Sequence, residues 1–260
     1  GPDAERAGFG LIAEAKSGIM QMIGEPGQAP PLLRIALGDM YTGIHGVAAV
    51  CAALLGRVKS GRGQHIDIAL YDCMISMHDF AVQSYLMSGG TELPVQTGHD
   101  LPQSTVYGVF AARDGYLVIA AQVDDAWKRF AKLIGGEAYA ADTRFHSQAG
   151  RNAHRVEILS AVREWTMAQA SVKDCCAALD AAGVPAAKVQ TIDEVVADPQ
   201  TVARGMVIEQ EHPLLGRIRL PNLPFRLSDC DTSPSGPAPL LGQHNREIAA
   251  SLGYSAADID

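Results

Sequence analysis

Leu37-Gly38-Asp39-Met40-Tyr41-Thr42-Gly43, continuing through apolar residues to Val58, is the stretch on which the fold turns. Apolar positions in it keep to no single stripe, so residues 40–58 predict a helix apolar almost all round, the pattern of an element buried on most sides. Gly43, Gly46, Ala48, Ala49, Ala52 and Ala53 predict a close approach to a neighbouring backbone. His45 interrupts the run and Arg57 and Lys59 bound it, which favours a core helix over a membrane span. Asp39 follows a glycine and precedes this helix. On position alone it reads as an N-cap, its carboxylate accepting from backbone N–H groups of the first turn.

Working outward, Lys59-Ser60-Gly61-Arg62-Gly63-Gln64 predicts a turn, and Ile66, Ile68 and Leu70 alternate as in a strand. Gly61-Arg62-Gly63 precedes a strand rather than a helix, so it fails as a phosphate-cradling loop. A second apolar helix is predicted over 71–87, ending at Gly89-Gly90. Upstream, 9–22 has helical composition, and 25–31 is a Pro/Gly loop. Downstream, 91–103 marks a boundary. Residues 106–112 and 116–122 then flank Asp114-Gly115 as a hairpin. Helices follow over 124–134, 152–169 and 171–182. Ser171 and Asp174 are spaced as a capping box with Gly183 as the stop, and Thr191 and Glu194 repeat the device. Trp127 and Trp165 fall on apolar helix faces and are expected in the core. Residues 206–228 read as antiparallel strand, 234–239 as an extended linker and 242–252 as a closing helix. The class is mixed α/β, in three stretches: 1–92 as the first part of a large domain, 93–198 as a small α+β domain, and 199–260 as the closing part of the large one.

Bulk properties narrow the function. The net charge is −8 with 47% hydrophobic residues. That balance disfavours nucleic-acid and anionic-membrane partners, which need basic patches. The five cysteines (Cys51, Cys73, Cys175, Cys176, Cys230) show no metal-ligand spacing, so no metal is expected. They read as buried reduced thiols of a cytoplasmic protein, and Gly1–Gly10 lacks the build of a signal peptide.

Seven tracts, in order, resemble class III coenzyme A transferases of the formyl-CoA and carnitine CoA-transferase type. They are Gly1–Phe9, Leu37–Gly43 with its aspartate, the Ser-Gly-Arg-Gly-Gln turn with His65–Leu70, the hairpin at Ala111–Gly115, Leu179–Pro185, Asp198–Met206 and Ala238–Glu247. The resemblance implies that family's fold, a partial Rossmann-like large domain plus a small α+β domain, as an interlocked homodimer. It starts beyond the family's amino-terminal segment, which supplies many coenzyme A contacts. A truncation or a companion chain is therefore expected.

The resemblance also implies the chemistry. Coenzyme A would pass from an acyl-CoA to a small carboxylic acid (formate, oxalate, succinate, itaconate, mesaconate or a carnitine-like acid), with Asp39 as nucleophile through aspartyl anhydride and aspartyl-CoA thioester intermediates. A helix N-terminus favours the anion that this role requires. Gly38 beside the aspartate, and Gly98, His99 and Asp100 in the tract matching the family's glycine loop, are the candidate substrate-binding residues. That tract holds one glycine rather than several, which argues against a flexible flap. The alternatives are an acyl-CoA racemase or CoA-lyase of the same superfamily, or a non-catalytic fragment. The racemase branch carries its base in an Ala-Gly-His-Asp tract. Here the match is Ala7-Gly8-Phe9-Gly10, and phenylalanine carries no proton. His45, six residues past Asp39, lies off its helical face and reads as a core or interface histidine. His244 reads as a residue of the closing helix's start.

Overall fold

The computed structural model describes residues 1–259. The chain parts into two compact units, Gly1–Val189 and Gln190–Asp260. In the first unit come helix α1 (Gly10–Lys16), a 3-10 turn (Ile19–Met22), α2 (Leu37–Ser60), α3 (Leu70–Ser76), α4 (Ala81–Met87), strands β1 (Tyr107–Ala112) and β2 (Gly115–Ala120), α5 (Asp124–Ala140), α6 (Gln148–Ala153), α7 (Arg155–Ala168), α8 (Val172–Ala181) and β3 (Ala186–Lys188). The second unit holds α9 (Ile192–Ala197), α10 (Pro199–Ala203), β4 (Val207–His212), β5 (Gly216–Pro221), α11 (Asn245–Ser251) and α12 (Ala256–Ile259). Helix and strand are mixed as expected. Both sheets are antiparallel: β1-β2-β3 in the first unit, β4-β5 in the second.

The larger core of the first unit forms where β1–β3 meet α5, α7 and α8. Leu117, Ile119, Phe130, Ile158, Val162 and Leu179 are fully buried there. Trp127 sits at its centre, edge-on to Phe145 at 6.0 Å and to Phe130 at 6.4 Å, and Trp165 is half-buried against it. Aromatic edge-to-face pairs of this kind add to the area they bury. Arg151 is buried outright, and each of its three guanidinium nitrogens donates. It donates to the carbonyls of Phe145 (3.0 Å), Gln122 (2.6 Å) and Thr105 (3.3 Å), to Gln148 Oε1 (2.9 Å) and to Asp124 Oδ1 (2.8 Å). One cation thus ties three loops to the sheet edge.

Capping follows the sequence. Ser171 accepts from the Asp174 N–H at the start of α8, and Thr191 with Glu194 makes a reciprocal box on α9. Asp198 ends α9 and caps α10, accepting from Gln200 and Thr201 N–H. The side-chain hydrogen bond from Gln190, followed by the Gln200 amide, holds its carboxyl below the usual carboxylate range.

A second, smaller core (Ala13, Ile19 and Met74, with Leu33, Leu37 and Leu70 against it) joins α1, α2 and α3. Here the expectations need correcting. α2 runs 24 residues, yet only Gly38 is buried. Met40, Ile44, Val47, Val50, Leu54, Leu55 and Val58 all face outward. By length and composition alone this helix is long and apolar enough to cross a membrane, although His45, Arg57 and Lys59 had favoured a core helix. An all-round apolar helix needs neighbours on every side, and among the described residues its main neighbours are α1 and α3. The strand expected over 65–70 is absent, because no other strand of the described residues lies beside it to complete a ladder. The helix predicted over 71–87 breaks between α3 and α4, and 9–22 breaks at Gly18, whose φ is +84°. Gly61 caps α2 at φ +70°, so the Gly-Arg-Gly tract is the tight turn expected.

Candidate active site

Asp39 is the third residue of α2, not its N-cap, which is Ala36. The difference matters chemically. A capping carboxylate is committed to backbone amides, whereas Asp39 is exposed and makes no hydrogen bond or ion pair among the described residues. The first turn is served instead by a residue that the sequence reading missed. Glu14 of α1, buried, accepts from the Gly38 N–H through Oε1 at 3.0 Å. Gly38 in turn lies against the backbone of Gly10, so close that a Cβ would stand 3.2 Å from Gly10 Cα and O. Gly10 lies under the Asp39 carboxylate, where a Cβ would stand 2.7 Å from Oδ2. Two glycines and a buried carboxylate therefore bring α1 against the start of α2 and leave the Asp39 carboxylate on the positive end of a long helix.

That carboxylate lines a cavity of about 340 Å³ together with Phe9, Gly10, Leu11, Glu14 and the Leu32–Ala36 segment. Phe9 thus lines the same cavity as Asp39. Arg34 is the one cation in this lining, another residue unmarked in the sequence except as a lone charge within Leu32-Leu33-Arg34-Ile35-Ala36.

Gly98, His99 and Asp100 are not among the residues lining this cavity. Their tract is laid along β1: His99 O accepts from the Val109 N–H at 2.7 Å, Leu101 N–H donates to Tyr107 O at 3.1 Å, and Asp100 bridges to Gly108. Gly98, at φ +70°, donates to Gly24 O at 3.0 Å, and a Cβ there would meet the Glu25 carboxylate at 2.8 Å. His99 Nδ1 faces Glu25 Oε1 at 3.4 Å, and Asp100 is held by Arg155, with Arg163 at 3.8 Å. The tract is pinned rather than free, in line with its single glycine.

His45 does not meet Asp39. Its Nδ1 lies 3.0 Å from Tyr41 O, and its ring stacks edge-on to Tyr41 at 4.4 Å. His244 pairs with Glu247 at 3.2 Å. All five cysteines are free, with Cys51 and Cys230 exposed, contrary to the expectation that they are buried. Burial raises the Cys175 and Cys176 thiols above their ordinary value. Among the described residues no group of His, Cys, Asp and Glu side chains could hold a metal ion.

The family model "CoA-transferase family III" matches residues 1–245. The chain belongs to CoA-transferase family III. It is 33% identical over 97% of its length to a succinate–glutarate CoA-transferase of Agrobacterium fabrum. To a succinyl-CoA–D-citramalate CoA-transferase of Chloroflexus aurantiacus it is 32% identical over 97%. This family III chain spans 62% of the length of each of these relatives. Its fold superposes on the crystal structure of a CAIB/BAIF family protein from Brucella suis with a TM-score of 0.81. The two are 36% identical, and the match covers 97% of this chain and 65% of that one.

Proposed function

We propose that Asp39 is the nucleophile of a coenzyme A transfer from an acyl-CoA to a small dicarboxylic acid. The observation that carries this reading is an exposed carboxylate with no partner among the described residues, on a cavity at the amino end of α2. The acceptor class comes from relatives named for succinate, glutarate and D-citramalate.

The steps balance without an outside reagent. An Asp39 oxygen attacks the thioester carbonyl carbon. The C–S bond breaks, coenzyme A leaves as thiolate, and an acyl–aspartyl anhydride remains. The thiolate then attacks the aspartyl carbonyl, giving an aspartyl-CoA thioester and releasing the donor as its carboxylate. The acceptor carboxylate attacks that thioester, forming a second anhydride and expelling the thiolate. Attack of the thiolate on the acceptor's acyl carbon yields the new thioester and restores Asp39. Every nucleophile and leaving group is an anion, and covalent catalysis divides one difficult exchange into easier ones.

Phe9 on the same cavity as Asp39 weighs against proton exchange alpha to the thioester, because its ring offers no base. The outward apolar face of α2 supports the homodimer that the family resemblance implies, since a patch of this kind marks a surface that another polypeptide covers. A cytoplasmic location and reduced thiols belong to the same reading.

Asp39→Asn is expected to lower transfer by at least roughly a thousandfold, by analogy with loss of a covalent nucleophile. Circular dichroism should stay unchanged, because an exposed side chain without a partner is being altered. Retained turnover, or deuterium entering the acyl chain from heavy water without coenzyme A transfer, would contradict the assignment.

A further inference from the structure

Arg34 is the only non-glycine residue among those described that holds a positive φ, at +58°. Side chains on L-residues rarely adopt this backbone state. Where they do, the surroundings hold them there, and such positions gather at ligand sites. Arg34 is exposed, lines the cavity beside Asp39, and makes no hydrogen bond or ion pair among the described residues. The rest of that lining consists of two carboxylates, Asp39 and Glu14, the backbone of Gly10, and apolar side chains from Phe9, Leu11, Leu32, Leu33, Ile35 and Ala36.

A dicarboxylic acid entering this cavity meets a specific difficulty. One of its carboxylates must approach the aspartyl carbon, while the other, still charged, lies a few methylene groups away. The donor's free carboxylate meets two acids in this lining, Asp39 and Glu14, and the acceptor's meets Glu14 once Asp39 is held as the thioester, so the free anion is repelled unless a cation receives it. The apolar wall suits the methylenes. A guanidinium presents paired donors matched to a carboxylate and stays charged at every working pH.

We propose that Arg34 binds the distal carboxylate of the dicarboxylic acyl group and acceptor, and so sets selectivity for diacids over monoacids. This rests on the transferase reading above and names the residue that selects its substrate.

The test uses the natural full-length protein with succinyl-CoA as donor and glutarate or butyrate as acceptor. The readout is the ratio of kcat/KM for glutarate to that for butyrate. Arg34→Gln should lower this ratio roughly 10- to 100-fold, the range for losing a charge-assisted pair. Arg34→Lys, which keeps the charge but not the fork, should restore part of it. Arg34→Gly guards against a folding artefact, because glycine accepts the positive φ freely. It should keep or raise Tm while showing the same fall in the ratio. A ratio within about threefold of wild type in both Gln and Gly variants overturns the proposal. So does an equal rise in KM for succinyl-CoA and for butyryl-CoA, which lacks the distal carboxylate, because that would mark Arg34 as a contact of the coenzyme phosphates. Failure of the wild-type protein to transfer coenzyme A to either acid would defeat the transferase reading itself, an outcome visible before any variant is made.

Discussion

At Gly10 the absent side chain is the point. A methyl group there would stand 2.7 Å from Asp39 Oδ2, inside van der Waals contact, so α1 and the carboxylate share a space that only glycine leaves open. Gly10→Ala is therefore expected to displace the carboxylate and lower kcat by roughly 10- to 100-fold, the scale for misplacing a reacting group by about an ångström. Thermal melting should change little by comparison. Steady-state kinetics beside a melting curve checks this, and an unaltered kcat would mean that the carboxylate need not rest over Gly10. Sequence reading singled out Asp39 and Phe9, because both lie in short recognisable tracts. It did not find Glu14 or Arg34. Glu14 meets Gly38 across 24 positions of chain, and such a contact leaves no local signature. A lone acid in Leu11-Ile12-Ala13-Glu14-Ala15 and a lone base in Leu32–Ala36 were the available signals, weak ones without knowledge of which faces meet.

Elements with local rules were the legible ones. The hairpin, whose turn falls at Arg113-Asp114, one residue before the expected Asp114-Gly115, with Gly115 opening β2 opposite Ala112, the caps at Ser171 and Thr191, and the Gly61 cap of α2 depend on residues within a few positions of one another. Elements that need distant partners were misread. The 65–70 segment alternates correctly for a strand but has none beside it, and α2 has the composition of a core helix without the surrounding core. In the larger core, where β1–β3 meet the helices, the anchor is Arg151, whose five donor contacts tie the loops before β1, after β2 and after α5. Replacing it with Met keeps the bulk but leaves carbonyls and an acid unpaired. Backbone carbonyls left without donors are expected to cost about 1–3 kcal/mol, Asp124 being mostly exposed, read as a lower midpoint in urea at constant m-value. A change below about 1 kcal/mol would show that packing rather than these bonds holds the loops.

For the whole molecule, the outward face of α2 is the feature that most needs a partner. Cys51 on that helix and Cys230 in the second unit are exposed, while Cys73 and Cys175 are buried, and burial keeps the Cys175 thiol protonated at neutral pH. If a second copy covers α2, iodoacetamide should spare Cys51 in the dimer and modify it in the monomer, with Cys73 and Cys175 slow in both, as peptide mass spectrometry would read. Equal labelling of Cys51 in the two states would place the partner surface elsewhere. A nucleophilic Asp39 must carry an acyl group during turnover. The direct measurement is to incubate the natural full-length protein with succinyl-CoA, quench with hydroxylamine, and sequence the peptides by mass spectrometry. A hydroxamate at Asp39, formed only when the acyl-CoA is present, is the predicted result. An unmodified Asp39 in protein that is turning over, or a hydroxamate on another carboxylate, would contradict it.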